Sequence, residues 1–199
     1  FALLIPAGSA CDPPGGSGLA SVLCDWMTRG AGRRDNRAFS MELDRLGVQH
    51  GQTVSAAHLS LSGVCLADNL SAALTLTADM VCRPQLPNDE FEPSVVSVIH
   101  ELQSLEDDPR QKVMLELVRR CYPSPWGQPP EGALEDLGRL TPDTVRTHFA
   151  QFIKPQGSIL GIAGRVTLAE VLPAVNAAFA DWTPGAPPAM VSGARGPTV

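Results

Sequence analysis

The side chains able to do bond-breaking chemistry are few and scattered. Four histidines (His50, His58, His100 and His148) and five cysteines (Cys11, Cys24, Cys65, Cys82 and Cys121) are spread along 199 residues. Ser21 with His50, His58 or His148 as base would give nucleophilic hydrolysis. No G-x-S-x-G elbow is present, and no spacing brings a serine and a histidine together. The cysteines are odd in number and lack a C-x-x-C pair, so neither a disulfide framework nor a zinc ribbon is expected. They read as free thiols in a reducing compartment.

Ser21, Cys24 and Asp25 fall within GLASVLCDWMTRGAGRR, residues 18–34. Leu19, Val22, Leu23, Trp26 and Met27 recur at helical spacing, which predicts an amphipathic helix with one buried face. Gly30 and Gly32 are expected to stop it, with Arg29 near its negative end. Ahead of it, FALLIP reads as a strand ended by Pro6 and a run of turn residues. A second helix is expected over about 36–46, carrying Phe39, Leu43 and Leu46 and stopped by Gly47. VQHGQTVSA and HLSLSGVCL follow as two strands. Asp68 is expected to cap a helix running to about Val81. A long helix over about 91–105 comes next, then one opened by Pro109. The Tyr122, Pro123, Trp126 and Gly127 segment reads as a compact loop packed against the sheet. Thr141 and Pro142 open another helix, SILGIAGRV reads as a buried strand, and Thr167 caps a closing helix that contains Pro173. This order implies α+β: helices packed on one face of a largely antiparallel sheet. Past Trp182 the composition turns to proline, glycine and small residues. That predicts a domain over 1–182 and a linker over 183–199.

The frame of residues 18–30 resembles the zinc helix of the M16 (pitrilysin, insulinase, mitochondrial processing peptidase) family, whose pattern is roughly G-x-x-H-x-x-E-H-x-x-x-x-G. Other segments resemble that family in the right order: GSACD before the helix, PQLPNDEFE, VIHEL, DPRQKVMLELVRRCYPSPWG and GALEDLGRLTPDTVRTHFAQFIKP. In an H-x-x-E-H helix two imidazoles bind Zn²⁺ and the glutamate activates water. Laid on this chain, the first histidine falls on Ser21, the glutamate on Cys24 and the second histidine on Asp25. The third ligand, a glutamate in a V-x-x-E setting, falls on Glu101. The resemblance therefore implies an M16 fold whose catalytic set is lost. No catalytic residue and no bound zinc are expected, with Asp25 and Glu101 the weak remnant candidates for a metal. His100 lies about 100° from Glu101 around the helix and is not expected to join it.

A net charge of −6 and a pI near 5.1 argue against nucleic acid or an anionic membrane surface as partner. No apolar run is long enough to span a bilayer and no signal peptide is visible, so a cytoplasmic location is expected, or a periplasmic one if a leader preceded Phe1. The resemblance implies a non-catalytic homologue that pairs with an active M16 subunit, or with a second M16-like half, around a peptide-binding chamber. The alternatives are a stand-alone structural or peptide-binding module reusing the fold, and an enzyme of another chemistry. Arg29, Arg33 and Arg34 are candidates to face an acidic substrate or partner, against a plain solvated basic turn.

Overall fold

The computed structural model describes residues 1–186; residues 187–199, most of the expected linker, lie outside the described residues. The chain opens with β1 (Ala2–Ile5), a 3₁₀ turn at Ser9–Cys11, and α1 (Leu19–Met27). A short hairpin follows, β2 (Gly30–Ala31) and β3 (Arg34–Asp35), then α2 (Asn36–Arg45), β4 (Gln49–Val54) and β5 (Leu59–Val64). The helical half comprises α3 (Leu70–Cys82), α4 (Phe91–Asp107), α5 (Pro109–Cys121), α6 (Leu134–Leu137) and α7 (Pro142–Phe152). Finally β6 (Ile159–Gly161) returns to the sheet and α8 (Leu168–Ala178) closes the order.

Four strands form one antiparallel sheet in the order β4-β5-β1-β6. Leu3 sits opposite Leu61 and Ile5 opposite Leu59, so the buried side chains of neighbouring strands share one face. That face meets the helices. The core joins Leu3, Ile5, Leu59 and Leu61 to Leu19, Leu23, Trp26 and Met27 of α1, Phe39 of α2, Leu76 of α3 and Val95 of α4. Each fully buried aliphatic or aromatic side chain contributes about 1.5–3 kcal/mol of transfer free energy. The architecture is the expected two-layer α+β fold.

Local chemistry explains most element starts. Asp35 accepts from the Ala38 N–H at 2.8 Å and caps α2, and Gly47 supplies the left-handed residue (φ 63°) after its end. Asp108 accepts from the Arg110 and Gln111 N–H groups ahead of Pro109, and Thr141 and Thr144 form a reciprocal cap on α7. At α8 the Glu170 carboxylate accepts from both the N–H and the hydroxyl of Thr167, each at 2.8 Å, and the helix runs on through Pro173.

Several expectations need correction. Asp68 caps nothing: a 3₁₀ turn at Ala67–Asn69 precedes α3, and the exposed Asp68 carboxylate lies 3.6 Å from Arg165. SILGIAGRV is not a buried strand. Only Ile159–Gly161 pair, on an edge of the sheet beside β1, and Ile159 is 59% exposed. α1 stops at Met27, before the glycines, because the Thr28 hydroxyl and N–H both turn back onto the Asp25 carbonyl. Gly30 and Gly32 instead shape the β2–β3 hairpin, which the sequence pattern did not reveal.

Candidate functional site

α1 is the hub of the site. Its start is held by Asp12, whose two carboxylate oxygens accept from the Gly18 and Ala20 N–H groups at 2.9 Å each. Burial pushes the Asp12 carboxyl up to about 7, against the downward pull of these backbone N–H groups. From the far end of the chain, Asp136 accepts from the Ser17 N–H at 3.2 Å. Gly18 has φ 96°, and a Cβ there would lie 2.5 Å from the Glu131 carbonyl oxygen; one on Gly132 would lie 2.3 Å from the Ser17 carbonyl oxygen. The start of α1 and residues 131–132 therefore meet backbone to backbone, which only glycine permits. Burial extends round nearly the whole helix: of Leu19–Met27, only Asp25 is not fully buried.

The three motif positions and Glu101 come together in one cleft of about 380 Å³. α1 contributes Ser21, Cys24 and Asp25, β4 contributes Gln52, Thr53 and Val54, and α4 contributes Glu101. Glu131 and Gln111 also line it, and among the described residues no histidine, lysine or arginine does. The Ser21 hydroxyl donates to the Pro130 carbonyl at 2.8 Å, so its proton is committed to the loop beyond α5 rather than to a base. Cys24 is 3% exposed, and burial, with the Asp25 and Glu101 charges, drives its thiol well above the ordinary range. It is held as a neutral thiol. The Asp25 carboxylate accepts from Arg29 Nε at 2.6 Å, and Arg29 also donates to Glu90 at 3.0 Å, which in turn accepts from Asn36. Glu101 carries a raised pKa, chiefly from burial and then from the Asp25 and Glu131 charges. Among the described residues, no group of three or more His, Cys, Asp or Glu side chains is placed to hold a metal ion.

The other candidates disperse. His148 is buried on α7 against Phe152, with its Nε2 unpartnered, and His50 and His58 belong to the β4–β5 region and are not among the residues that line the cleft with Ser21. Of the three arginines read as facing an acidic ligand, Arg29 is spent on Asp25 and Glu90, and Arg34 reaches Asp79 at 3.2 Å; Arg33 is exposed. The sequence reading missed Glu90, Pro130, Glu131 and Asp136. GSACD had marked the Asp12 segment without giving the carboxylate its helix-capping role. The rest carry no local signal, because each meets α1 from more than sixty residues away in sequence.

An antiparallel sheet backed by helices, with the motif helix set beside a glutamate of a second helix, defines an insulinase-like peptidase domain. The insulinase model of peptidase family M16 matches residues 1–125, and the chain belongs to that family. No curated protein matches the sequence significantly. Among solved structures, a peptidase M16 inactive domain from Pseudomonas fluorescens has a TM-score of 0.83 at 20% identity, covering 94% of this chain and 46% of its own. A protease from Helicobacter pylori gives 0.85 at 20% identity, over 98% of this chain and 48% of its own. The ferredoxin protease FusC, solved in complex with Arabidopsis ferredoxin, gives 0.82 at 16% identity, over 94% and 22%. The shared property is the fold. This chain spans a little under half the length of the first two and about a fifth of the third.

Proposed function

We propose that this chain is a non-catalytic M16 homologue whose zinc-binding set is lost, and that it pairs with an active M16 subunit, or a second M16-like half, to wall a peptide-binding chamber. The observation that carries this reading is the state of the donors. A zinc peptidase of the H-x-x-E-H type uses two neutral imidazoles, a carboxylate ligand and a second carboxylate as base. At those places stand a hydroxyl bonded to Pro130, a neutral buried thiol and a carboxylate engaged by Arg29, and only Glu101 keeps the family's residue type. That set does not fit zinc. A buried neutral thiol cannot replace a carboxylate as base, and no step of hydrolysis is assigned to these residues.

What the site retains is shape. β4 stands at one edge of the sheet, and its Gln52, Thr53 and Val54 line the cleft. An extended peptide added to that edge would gain backbone hydrogen bonds and run past the acidic wall of Glu101 and Glu131. The acidic surface favours a protein partner over nucleic acid, and among the described residues no helix is long and apolar enough to cross a membrane. The Pseudomonas fluorescens structure is the precedent for an inactive M16 domain.

Elemental analysis of the purified chain together with a peptide-cleavage assay tests the first half of the reading. Zinc well below one equivalent, with no cleavage, is expected. Stoichiometric zinc that is lost in Asp25→Ala or Glu101→Ala would overturn it. The second half is tested by reconstitution with an active M16 subunit: omitting this chain is expected to lower the peptidase rate or weaken peptide affinity, and no change in either would sink the pairing.

A further inference from the structure

Resting on the reading that the cleft has lost its metal, we propose that the residues at the motif positions now form a metal-free brace that holds the cleft walls and seals Cys24 beneath it. A metal bound by two residues of α1 and one of α4 would tie those two helices together. In this chain α1 is tied without one, to the 129–132 segment and to the start of α4. Ser21 bonds the Pro130 carbonyl, across 109 residues of sequence. Asp25, one helical turn on, holds Arg29, and Arg29 holds Glu90 at the foot of α4. The two ties leave the same helix in different directions, one to the 129–132 segment and one to the 83–90 segment.

Cys24 lies between them in sequence and lines the same cleft, yet is 3% exposed. The Gly18–Glu131 and Gly132–Ser17 contacts bring the outer segment close enough for the Ser21 bond to act as its last fastening. The brace also accounts for the two residue types. A serine hydroxyl at position 21 reaches the Pro130 carbonyl at 2.8 Å. An aspartate at position 25 pairs with an arginine one turn later, which a neutral histidine would leave without its closest carboxylate.

The experiment is alkylation of the whole chain by iodoacetamide, read cysteine by cysteine by peptide mass spectrometry. Ser21→Ala is expected to speed labelling of Cys24 about three- to tenfold, the opening that follows from losing one net hydrogen bond. Cys65 and Cys121 serve as internal references and should keep their rates. Ser21→Thr, which restores the hydroxyl, should restore protection. Glu90→Ala removes the acceptor that ties Arg29 to the start of α4, leaves the charge beside Cys24 in place and should also expose Cys24, which keeps the test alive if the first variant does not fold. An unchanged Cys24 rate in both variants, or an equal rise at Cys65, overturns the brace. Zinc measured on the same samples separates the two claims: stoichiometric metal whose removal by EDTA exposes Cys24 in the unsubstituted chain would overturn the loss of metal, whereas no metal and no change in labelling would overturn the brace alone.

Discussion

At the scale of single residues, burial without partners sets the sharpest expectations. His148 is 4% exposed with an unpartnered Nε2, and burial lowers its pKa to about 4. Between about 4 and 6.5 the unfolded chain takes up a proton that the folded chain refuses, so this residue's contribution is present above 6.5 and is lost as pH falls towards 4. His148→Leu removes the effect. The stability gap between variant and unsubstituted chain, from urea unfolding at each pH, should shift in the variant's favour by up to about 3 kcal/mol over that window. Taking the difference cancels other titrating groups, Asp12 included, that both chains share. Glu90 gives a second expectation. Its carboxylate accepts from Arg29 and Asn36, so Glu90→Ala should cost about 1–3 kcal/mol by leaving both donors with one partner fewer, measurable as a lower urea midpoint with unchanged slope.

At the scale of elements, the β2–β3 hairpin is held by charge. Asp79 on α3, 5% exposed, accepts from Arg83 one turn on and from Arg34 of β3. Gly32 at the hairpin turn has φ 61°, and a Cβ there would come 2.8 Å from Asp79 Oδ2. Gly32→Ala should therefore cost about 1–2 kcal/mol, from left-handed strain and a displaced carboxylate, seen as a thermal midpoint lower by several degrees. This element also shows where a sequence reading reaches its end. Periodicity found α1, α2 and β5 because each buries a stripe that repeats at 3.6 or 2 residues. The hairpin has two residues per strand and no stripe to read. α1 was read as one-sided, with Leu19, Val22, Leu23, Trp26 and Met27 inward, and these are buried; Ser21 and Cys24 on its other side are buried too. Ser21 is met by Pro130, over a hundred positions later, and Cys24 joins the main core, and no local window holds that information. The cleft's α1 and α4 residues were legible only through the motif frame, and its Glu131 wall was not legible at all.

At the scale of the whole molecule, single side chains join several elements. Trp26 stacks edge-on against Phe91 at 4.9 Å, carries the Arg146 guanidinium over its ring at 5.1 Å and donates to the Pro87 carbonyl, so one side chain joins α1, α4 and α7. Trp26→Ala should cost about 3–5 kcal/mol. By contrast, adding zinc salt or EDTA should leave the thermal midpoint of the unsubstituted chain unmoved, because a ligand shifts stability only by binding the folded state. A rise of several degrees with zinc would contradict the proposed function directly.

The position of residues 130–136 against the start of α1 has a kinetic consequence. Asp136 and Ser17 are 119 residues apart in sequence, and central strand β1 gains its second neighbour only when residues 159–161 arrive. Contacts of such long range form late, since the entropy of closing the loop is lost before the contact contributes. The sheet core and the long helices are expected to assemble first and the cleft last. A nascent chain released up to about the end of α5 would thus hold the start of α1 without residues 131–136 against it and leave the Ser21 hydroxyl without its carbonyl partner.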